Sequence, residues 1–64
     1  MTYLFQVTIK PEINGIELPT TTFSSENSFD HCYEKINNFF KKNAKPEDKR
    51  VYEVIHTSTQ TFND

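Results

Sequence analysis

The sequence predicts an α+β domain in which one helix covers one face of a three-stranded antiparallel sheet, with the elements in the order β-β-α-β. Three observations predict this fold class: a pattern of helical period over residues 28–42, an Asn-Gly pair between apolar stretches, and a β-branched stretch after the helix. The chain has 64 residues and one cysteine, so we expect a single domain, 1–64, without a disulfide.

The first strand is predicted over residues 2–10, where β-branched and aromatic residues are frequent and the side chains alternate between two faces. Pro11 has no amide hydrogen to donate, and we expect it to weaken the ladder at the end of this strand. Asn14-Gly15 stands between two isoleucines and predicts a hairpin turn, because both turn residues need a positive φ.

The second strand is predicted over residues 16–23 and should lie at an edge of the sheet, because Pro19 interrupts it. Folding the chain back about the hairpin turn places Val7 opposite Thr22. In that register Phe23 faces away from the core, unless a bulge near Pro19 shifts the pairing by one residue.

The helix predicted over residues 28–42 is the element around which the chain is organised. Its apolar residues fall on one face of a period of about 3.6 residues: Phe29, Cys32, Tyr33, Ile36, Phe39 and Phe40. We expect Asn27 to cap the first turn, and Lys41 and Lys42 to complement the helix dipole at the other end.

After the helix, the sequence predicts a loop over residues 43–49, a third strand over 50–59 and a frayed tail over 60–64. The third strand has apolar residues on both faces: Val51 and Ile55 on one, and Tyr52 and Val54, together with His56, on the other. A strand of this kind is either central in its sheet or covered on its second face.

A crossover through the helix lays the third strand beside the first, which gives the sheet order 2-1-3 with antiparallel neighbours. One face of the sheet then carries the helix, and the other, open face has no element to cover it. Leu4, with Tyr52 or Val54, would make the open face a surface for a homodimer or another partner. The competing interpretation is an ordinary solvated sheet face.

Few residues could carry chemistry. Cys32 lies on the apolar stripe of the helix, His31 lies on its polar face, and a Cys32–His56 dyad requires the last strand to run beneath the helix. A single glycine excludes a glycine-rich phosphate loop. We therefore predict a protein that is not an enzyme, with no catalytic, cofactor-binding or metal-ligating residue and no cofactor.

The formal charge of −2 conceals two oppositely charged stretches. The first has five acids and no base, and it predicts an acidic face that binds a partner: Glu12, Glu17, Glu26, Asp30 and Glu34. The second is a basic loop over residues 41–50 that offers alternative contacts to nucleic acid: Lys41, Lys42, Lys45, Lys49 and Arg50. Tyr52 stands next to this loop and could stack on a base.

The short strand-strand-helix-strand order, the Asn-, Lys- and Thr-rich and glycine-poor composition, and the lack of a chemical motif resemble small phage-encoded modulators of host machinery. That group includes anti-restriction and anti-CRISPR proteins. The resemblance covers the whole chain and transfers no individual residue. It implies a stoichiometric inhibitor that works by occluding a surface.

Taken together, these features predict a small non-catalytic protein-binding module, an inhibitor of a nucleic-acid-handling host complex. Its partner would be a larger protein or ribonucleoprotein with a basic surface, and the module itself could be a homodimer. The alternatives are a small nucleic-acid-binding domain that uses residues 41–50 and a structural subunit of a larger assembly. The lack of a signal peptide, of a membrane span and of paired cysteines predicts a cytoplasmic protein, in the host cytoplasm if phage-encoded.

Overall fold

A computed structural model describes residues 2–63 and confirms the predicted fold class, an antiparallel sheet with one helix on one face. Five elements follow one another along the chain: β1 (Thr2–Ile13), β2 (Ile16–Glu17), β3 (Thr21–Ser25), α1 (Phe29–Asn43) and β4 (Arg50–Phe62). β1 is the central strand. β4 pairs along one side of it, while β2 and β3 share the other side. The predicted sheet order is therefore confirmed, with β2 and β3 together in the place of the second strand.

The hairpin turn is the one that the sequence predicts. Asn14 and Gly15 have positive φ angles of 54° and 80°, and Ile13 pairs with Ile16 across the turn. Asparagine and glycine are the residues that adopt this left-handed conformation most readily, and such turns match the twist of the flanking strands.

The second predicted strand is not continuous: it is interrupted at residues 18–20 and resumes with its register shifted by one residue. The simple register places Val7 opposite Thr22, whereas in the structure Val7 pairs with Phe23. The shift turns Phe23 towards the helix, where its ring meets that of Phe39 edge-on at 5.6 Å. The bulge considered near Pro19 thus brings Phe23 into the core.

The predicted first strand ends before Pro11, whereas β1 continues to Ile13. In an antiparallel strand the N–H and C=O of one residue point to the same side. The carbonyl of Pro11 accepts a hydrogen bond from Leu18 N–H at 2.9 Å, so the nitrogen of Pro11 also faces the interrupted strand and not β4. The missing donor is therefore directed at the gap in the neighbouring strand and leaves the β1–β4 ladder intact.

The last strand is longer than predicted, because residues 60–62 are paired and do not form a frayed tail. Its pairing with β1 runs from Thr2 opposite Phe62 to Ile13 opposite Arg50. A register shift leaves one extra residue, Ile55, between His56, which faces Thr8, and Val54, which faces Ile9.

The bulge at Ile55 changes which residues share a face. Val54 and Tyr52 lie on the helix side of the sheet, opposite the buried residues Ile9 and Pro11, whereas His56 lies on the open face. The prediction that His56 shares a face with Val54 is therefore wrong, as is the prediction that Tyr52 or Val54 lies on the open face. Both predictions assumed a strand without a bulge.

Helix α1 begins one residue later than predicted and ends at Asn43. Its N-cap is Ser28, not Asn27: the Ser28 hydroxyl accepts a hydrogen bond from His31 N–H at 3.2 Å. The helix and β1 enclose the core, whose buried apolar residues are Val7, Ile9, Cys32, Ile36 and Phe40. Burying each larger aliphatic side chain contributes about 1.5–3 kcal/mol.

The molecule is long for its size, measuring 44 × 19 × 13 Å with a radius of gyration of 13.2 Å. A compact domain of this length has a radius of gyration of about 11 Å. The long axis matches the length of β1 and β4, whereas a 15-residue helix spans only about 22 Å. A large part of the sheet is therefore not covered by the helix.

Candidate functional site

Strand β4 is the most exposed element of the fold. Every one of its 13 residues except Ser58 is exposed. Among the described residues, five of the seven exposed large apolar side chains belong to this strand: Val51, Tyr52, Val54, Ile55 and Phe62. This concentration of exposed apolar side chains makes β4 the candidate for a binding surface.

The position of the helix explains this exposure. Phe29 and Phe39 pack on Phe5 of β1 and Phe23 of β3, with ring centroids 5.1 and 5.6 Å apart. A helix is about 10 Å wide and strands are about 4.8 Å apart, so one helix covers about two strands. Helix α1 contacts β4 through the stacked rings of Phe40 and Tyr52, whose centroids are 5.9 Å apart.

The outer edge of β4 carries a row of backbone groups without a neighbouring strand, because β4 pairs only with β1 in the described part of the chain. The direction of these groups follows from Pro11, whose backbone faces away from β4. Because backbone direction alternates along β1, its odd-numbered residues face away from β4, and so do their partners. The residues of β4 that direct N–H and C=O outward are Arg50, Tyr52, Val54, Thr57, Thr59 and Thr61.

Features that protect an edge strand are scarce along this edge. From Val54 to Phe62 there is no Asp, Glu, Lys, Arg or Pro. Natural edge strands commonly carry lysine, proline or an inward charge, which prevents pairing with another chain. Here the bulge at Ile55 is the single irregularity in the ladder with β1.

One flank of α1 faces the exposed part of β4 and carries charges of both signs. Asp30, Glu34, Asn37 and Lys41 follow one another at intervals of three or four residues and so share a side of the helix. Asn37 and Lys41 line a groove together with residues of β4, which fixes the direction of this side. On the opposite side, Lys35 donates to the carbonyl of Ser24 in β3.

The charges on this flank are separated along the helix axis. α1 begins beside Phe5, which pairs with Thr59, and it ends beside Tyr52. The acids Asp30 and Glu34 therefore lie towards the Thr59 end of β4. At the other end the flank is basic, and we call the two halves the acidic and basic halves of the β4 flank.

The groove in the basic half has a volume of about 340 Å³ and is lined by Asn37, Phe40, Lys41, Arg50 and Tyr52. The ring of Tyr52 is 40% exposed and stacks on Phe40 with an interplanar angle of 27°. The groove thus combines an accessible aromatic ring with two basic side chains. The structure brings Tyr52 together with two of the five predicted nucleic-acid contacts.

The other predicted basic residues lie elsewhere. Lys42 lines a second open groove on the β3 side of the helix, beside Phe23 and Phe39, and Lys41 lines both this groove and the one beside β4. Lys45 and Lys49 belong to the loop after the helix, which is tied to the hairpin turn. Only part of the basic loop is therefore directed at β4.

The five predicted acidic residues do not form one continuous surface. Glu12 and Glu17 lie opposite each other in the β1–β2 ladder, beside the hairpin turn and on the open face. There Lys10 Nζ lies 3.3 Å from a Glu17 carboxylate oxygen. Glu26 lies in the turn before the helix, and Asp30 and Glu34 are exposed on α1. Only the last two are shown here to belong to the β4 flank.

The loop after the helix is held by Asn14 and Asp48. Asn14 N–H donates to Lys49 O at 2.8 Å, and Asn14 Oδ1 accepts from Lys49 N–H at 2.9 Å. Asp48 accepts from Lys45 N–H at 2.9 Å and from Asn14 Nδ2 at 3.1 Å. These two hydrogen bonds, the backbone one first, hold the pKa of the Asp48 carboxyl below its ordinary value.

Cys32 and the two histidines do not come together. The Cys32 thiol is buried and donates to Phe5 O at 3.3 Å, and its burial raises its pKa, an effect partly offset by the positive charge of Lys35. His31 Nδ1 lies 2.7 Å from Ser25 Oγ, on the β3 side of the helix. His56 lies on the open face, so the sheet separates it from Cys32 and they cannot form a dyad.

The open face is largely polar. Gln6 bonds to Ser24 Oγ and Ser58 Oγ, both at 3.3 Å, and the hydroxyls of Thr8 and Thr22 are 2.8 Å apart. Tyr52 and Val54 lie on the helix side, and the apolar side chains of the open face lie at the two ends of the β1–β4 ladder, with Leu4 and Phe62 at one end and Val51 at the other. The exposed large apolar side chains of β4 are therefore divided between the two faces of the sheet.

No family model, curated protein or solved structure matches the chain. Residues 2–63 contain no helix that is long and apolar enough to cross a membrane. The same residues contain no group of three His, Cys, Asp or Glu side chains that could hold a metal ion.

Proposed function

We propose that the protein is a small non-catalytic protein-binding module whose partner adds an extended segment to the outer edge of β4. The observation that supports this most directly is a 13-residue edge strand that is exposed almost throughout. Strand addition uses the main-chain groups of such an edge for affinity and the alternate side chains for specificity. The exposed apolar side chains of β4 add surface that a partner would remove from water.

The charges of the β4 flank define the chemistry of the partner. Next to Asp30 and Glu34 a partner segment would carry basic groups, and next to Lys41 and Arg50 it would carry acidic ones. Opposite the uncharged stretch from Val54 to Phe62 it would be neutral. We infer a partner segment that carries basic groups near one end and acidic groups near the other.

Such a module needs no chemistry of its own, since it acts by occupying a surface of its partner in a stoichiometric complex. This mode of action agrees with the resemblance to small phage-encoded modulators of host machinery. We propose an inhibitory role on the same grounds, with a partner in a nucleic-acid-handling complex of the host.

The test is an affinity capture from nuclease-treated native lysate, read by mass spectrometry. Thr59→Pro removes an outward N–H from the β4 edge, where proline is tolerated. Thr22→Pro is the matched control: Thr22 faces the even-numbered Thr8, so its N–H points to the outer edge of β3. We expect a stoichiometric protein partner that binds the wild type and Thr22→Pro and is lost with Thr59→Pro. Equal capture by all three would contradict the proposal.

A second function is favoured by the groove that brings Tyr52 together with Lys41 and Arg50. An exposed aromatic ring flanked by cations is the arrangement on which single-stranded nucleic acid stacks. Fluorescence anisotropy with a labelled oligothymidylate tests it. If this function holds, Tyr52→Ala and Lys41→Ala weaken binding and Lys10→Ala, a cation on the open face, does not. In a parallel capture from untreated lysate, partners that all disappear after nuclease treatment would also favour this function.

A further inference from the structure

We propose that the chain which pairs with β4 is a second copy of this protein, joined in antiparallel fashion about a two-fold axis. This inference rests on the proposed function, because it names the partner of the same edge. Three properties of β4 support a second copy: the direction of its outward backbone groups, the charges of the β4 flank and the area of the edge.

The outward backbone groups of β4 match themselves in one antiparallel register. Pairing Val54 with Thr57 of the second copy also pairs Tyr52 with Thr59. Each of these four residues directs its N–H and C=O outward, so every pair can form the ladder of an antiparallel sheet. The bulges at Ile55 then face each other across the two-fold axis. We therefore expect the bulge to support this register.

This register uses almost the whole of β4, because its centre lies between Ile55 and His56, near the middle of the strand. The sheet continues from one copy into the other, with both helices on the same face. Tyr52 and Val54 become partly covered by Thr59 and Thr57 of the second copy. A sheet edge with exposed apolar residues is thereby replaced by the interior of a larger sheet.

The charges of the β4 flank agree with the same arrangement. A two-fold axis at the centre of β4 reverses the direction of the second helix. The acidic half, with Asp30 and Glu34, then lies opposite the basic half of the other copy, with Lys41 and Arg50. A parallel arrangement would place charges of the same sign opposite each other. Opposite charges in the two halves steer association and fix the direction of pairing.

The uncharged stretch of β4 removes the main obstacle to self-pairing. A strand that pairs with itself places any charge near another copy of that charge, which is unfavourable. Residues 54–62 carry no Asp, Glu, Lys or Arg. In the proposed register Glu53 faces Ser58, so the charge of Glu53 meets no like charge either.

The area of the edge predicts a dimer of moderate stability. A 13-residue strand is roughly 43 Å long and a sheet about 10 Å thick, so the two edges together bury roughly 900 Å². This lies at the lower end of specific interfaces, where complexes dissociate readily. We expect a reversible equilibrium with a Kd on the order of micromolar.

Sedimentation equilibrium of the 64-residue chain is the first test. We expect the average mass to rise from monomer to dimer between about 1 and 100 μM, the range that brackets a micromolar Kd. Thr59→Pro should remain monomeric over this range, whereas Thr22→Pro should dimerise like the wild type. A wild-type chain that stays monomeric throughout, or a Thr59→Pro variant that dimerises equally well, would overturn the inference.

A charge-swap experiment tests the direction of pairing without depending on a proline. Glu34→Lys should raise the dimer Kd roughly fivefold, the effect of losing two exposed ion pairs of ordinary strength. Combining it with Lys41→Glu should restore the wild-type Kd, because opposite charges face each other again. Failure of the second change to restore dimerisation would contradict the antiparallel arrangement.

Cysteine pairing tests the register. In a Cys32→Ala background, Val54→Cys and Thr57→Cys chains should form a mixed disulfide when combined, because directly opposite residues lie within reach of a disulfide. Thr59→Cys alone should give little disulfide dimer. Efficient self-linking of Thr59→Cys would indicate an axis at Thr59 and would overturn the proposed register.

These outcomes can be separated from those of the lysate experiment. A protein that is monomeric at all concentrations, yet loses a foreign partner on Thr59→Pro, would retain the proposed function and exclude the second copy as the partner. A dimer that needs the β4 edge supports the second copy as the occupant of that edge.

Discussion

At the scale of single residues, Asp48 is the carboxylate on which the loop between α1 and β4 depends. It accepts hydrogen bonds from the backbone of Lys45 and from the side chain of Asn14, and both bonds favour its charged form. The pKa of Asp48 is lower in the folded protein than in the unfolded chain. The contribution of this carboxylate to stability is therefore fully present above the unfolded pKa of about 3.9. That contribution is lost as the pH falls through the folded pKa.

Asp48→Ala should therefore lower the thermal midpoint at pH 7, and the difference from the wild type should shrink as the pH falls below about 3.9. Circular dichroism melting curves between neutral and strongly acidic pH measure this. Glu47→Ala, which removes an exposed carboxylate of the same loop, is the control and should leave the midpoint nearly unchanged. A constant difference between Asp48→Ala and the wild type at every pH would contradict the assignment.

Gly15 provides a second residue-scale prediction. Its φ is +80° and nothing lies within 4 Å of the position of a Cβ atom, so a substitution meets backbone strain and no steric clash. We expect Gly15→Ala to cost about 1–2 kcal/mol of unfolding free energy in a urea titration. Gly15→Asn should cost clearly less, because asparagine tolerates the left-handed conformation better. Equal losses for both variants would mean that the turn itself changes.

At the scale of elements, the interruption near Pro19 decides which side chain of β3 enters the core. Phe23 packs on Phe39 and faces Val7, while Thr22 is exposed beside Thr8. The simple register would reverse these positions.

Phe23→Ala should therefore lower the free energy of unfolding by about 2 kcal/mol, less than for a fully buried phenylalanine because Phe23 is half-buried. Thr22→Ala should change it by no more than about 0.5 kcal/mol, as expected for an exposed position. Chemical denaturation of the two variants measures both values. A larger loss for Thr22→Ala than for Phe23→Ala would show that the strand keeps the simple register.

At the scale of the whole molecule, one short helix lies on a sheet whose strands are about as long as the molecule itself. With its longest dimension at 44 Å, the chain keeps much of its sheet exposed, and the core is small. A core of this size supplies only a few kilocalories of net stability. Association through β4 would add stability that depends on protein concentration.

Accordingly, we expect the thermal midpoint of the wild type to rise by several degrees when its concentration increases about 100-fold, since only the folded state associates. Thr59→Pro should show no such rise, and Thr22→Pro should behave like the wild type. Differential scanning calorimetry at several concentrations provides the measurement. A midpoint that is independent of concentration in all three proteins would argue against coupling between folding and association.

Much of the candidate site could not be predicted from the sequence. The periodicity of the helix placed Asp30 and Glu34 on a polar face, but it did not show that this flank looks towards β4. The acidic stretch of the sequence groups Glu12 and Glu17 with Asp30 and Glu34. The hairpin instead carries Glu12 and Glu17 to the open face. The approach of Tyr52 to Lys41 and Arg50 was anticipated in part, because those residues lie near each other along the chain.

The sequence alone determined the features that depend on short-range rules. The period of the helix, the Asn-Gly turn and the alternation of the first strand are set by neighbouring residues, and they gave the fold class and the strand order. The tertiary structure decided the shift near Pro19, the bulge at Ile55 and the exposure of β4. These depend on which side chains fill the space beneath α1, and on a helix too narrow to cover three strands.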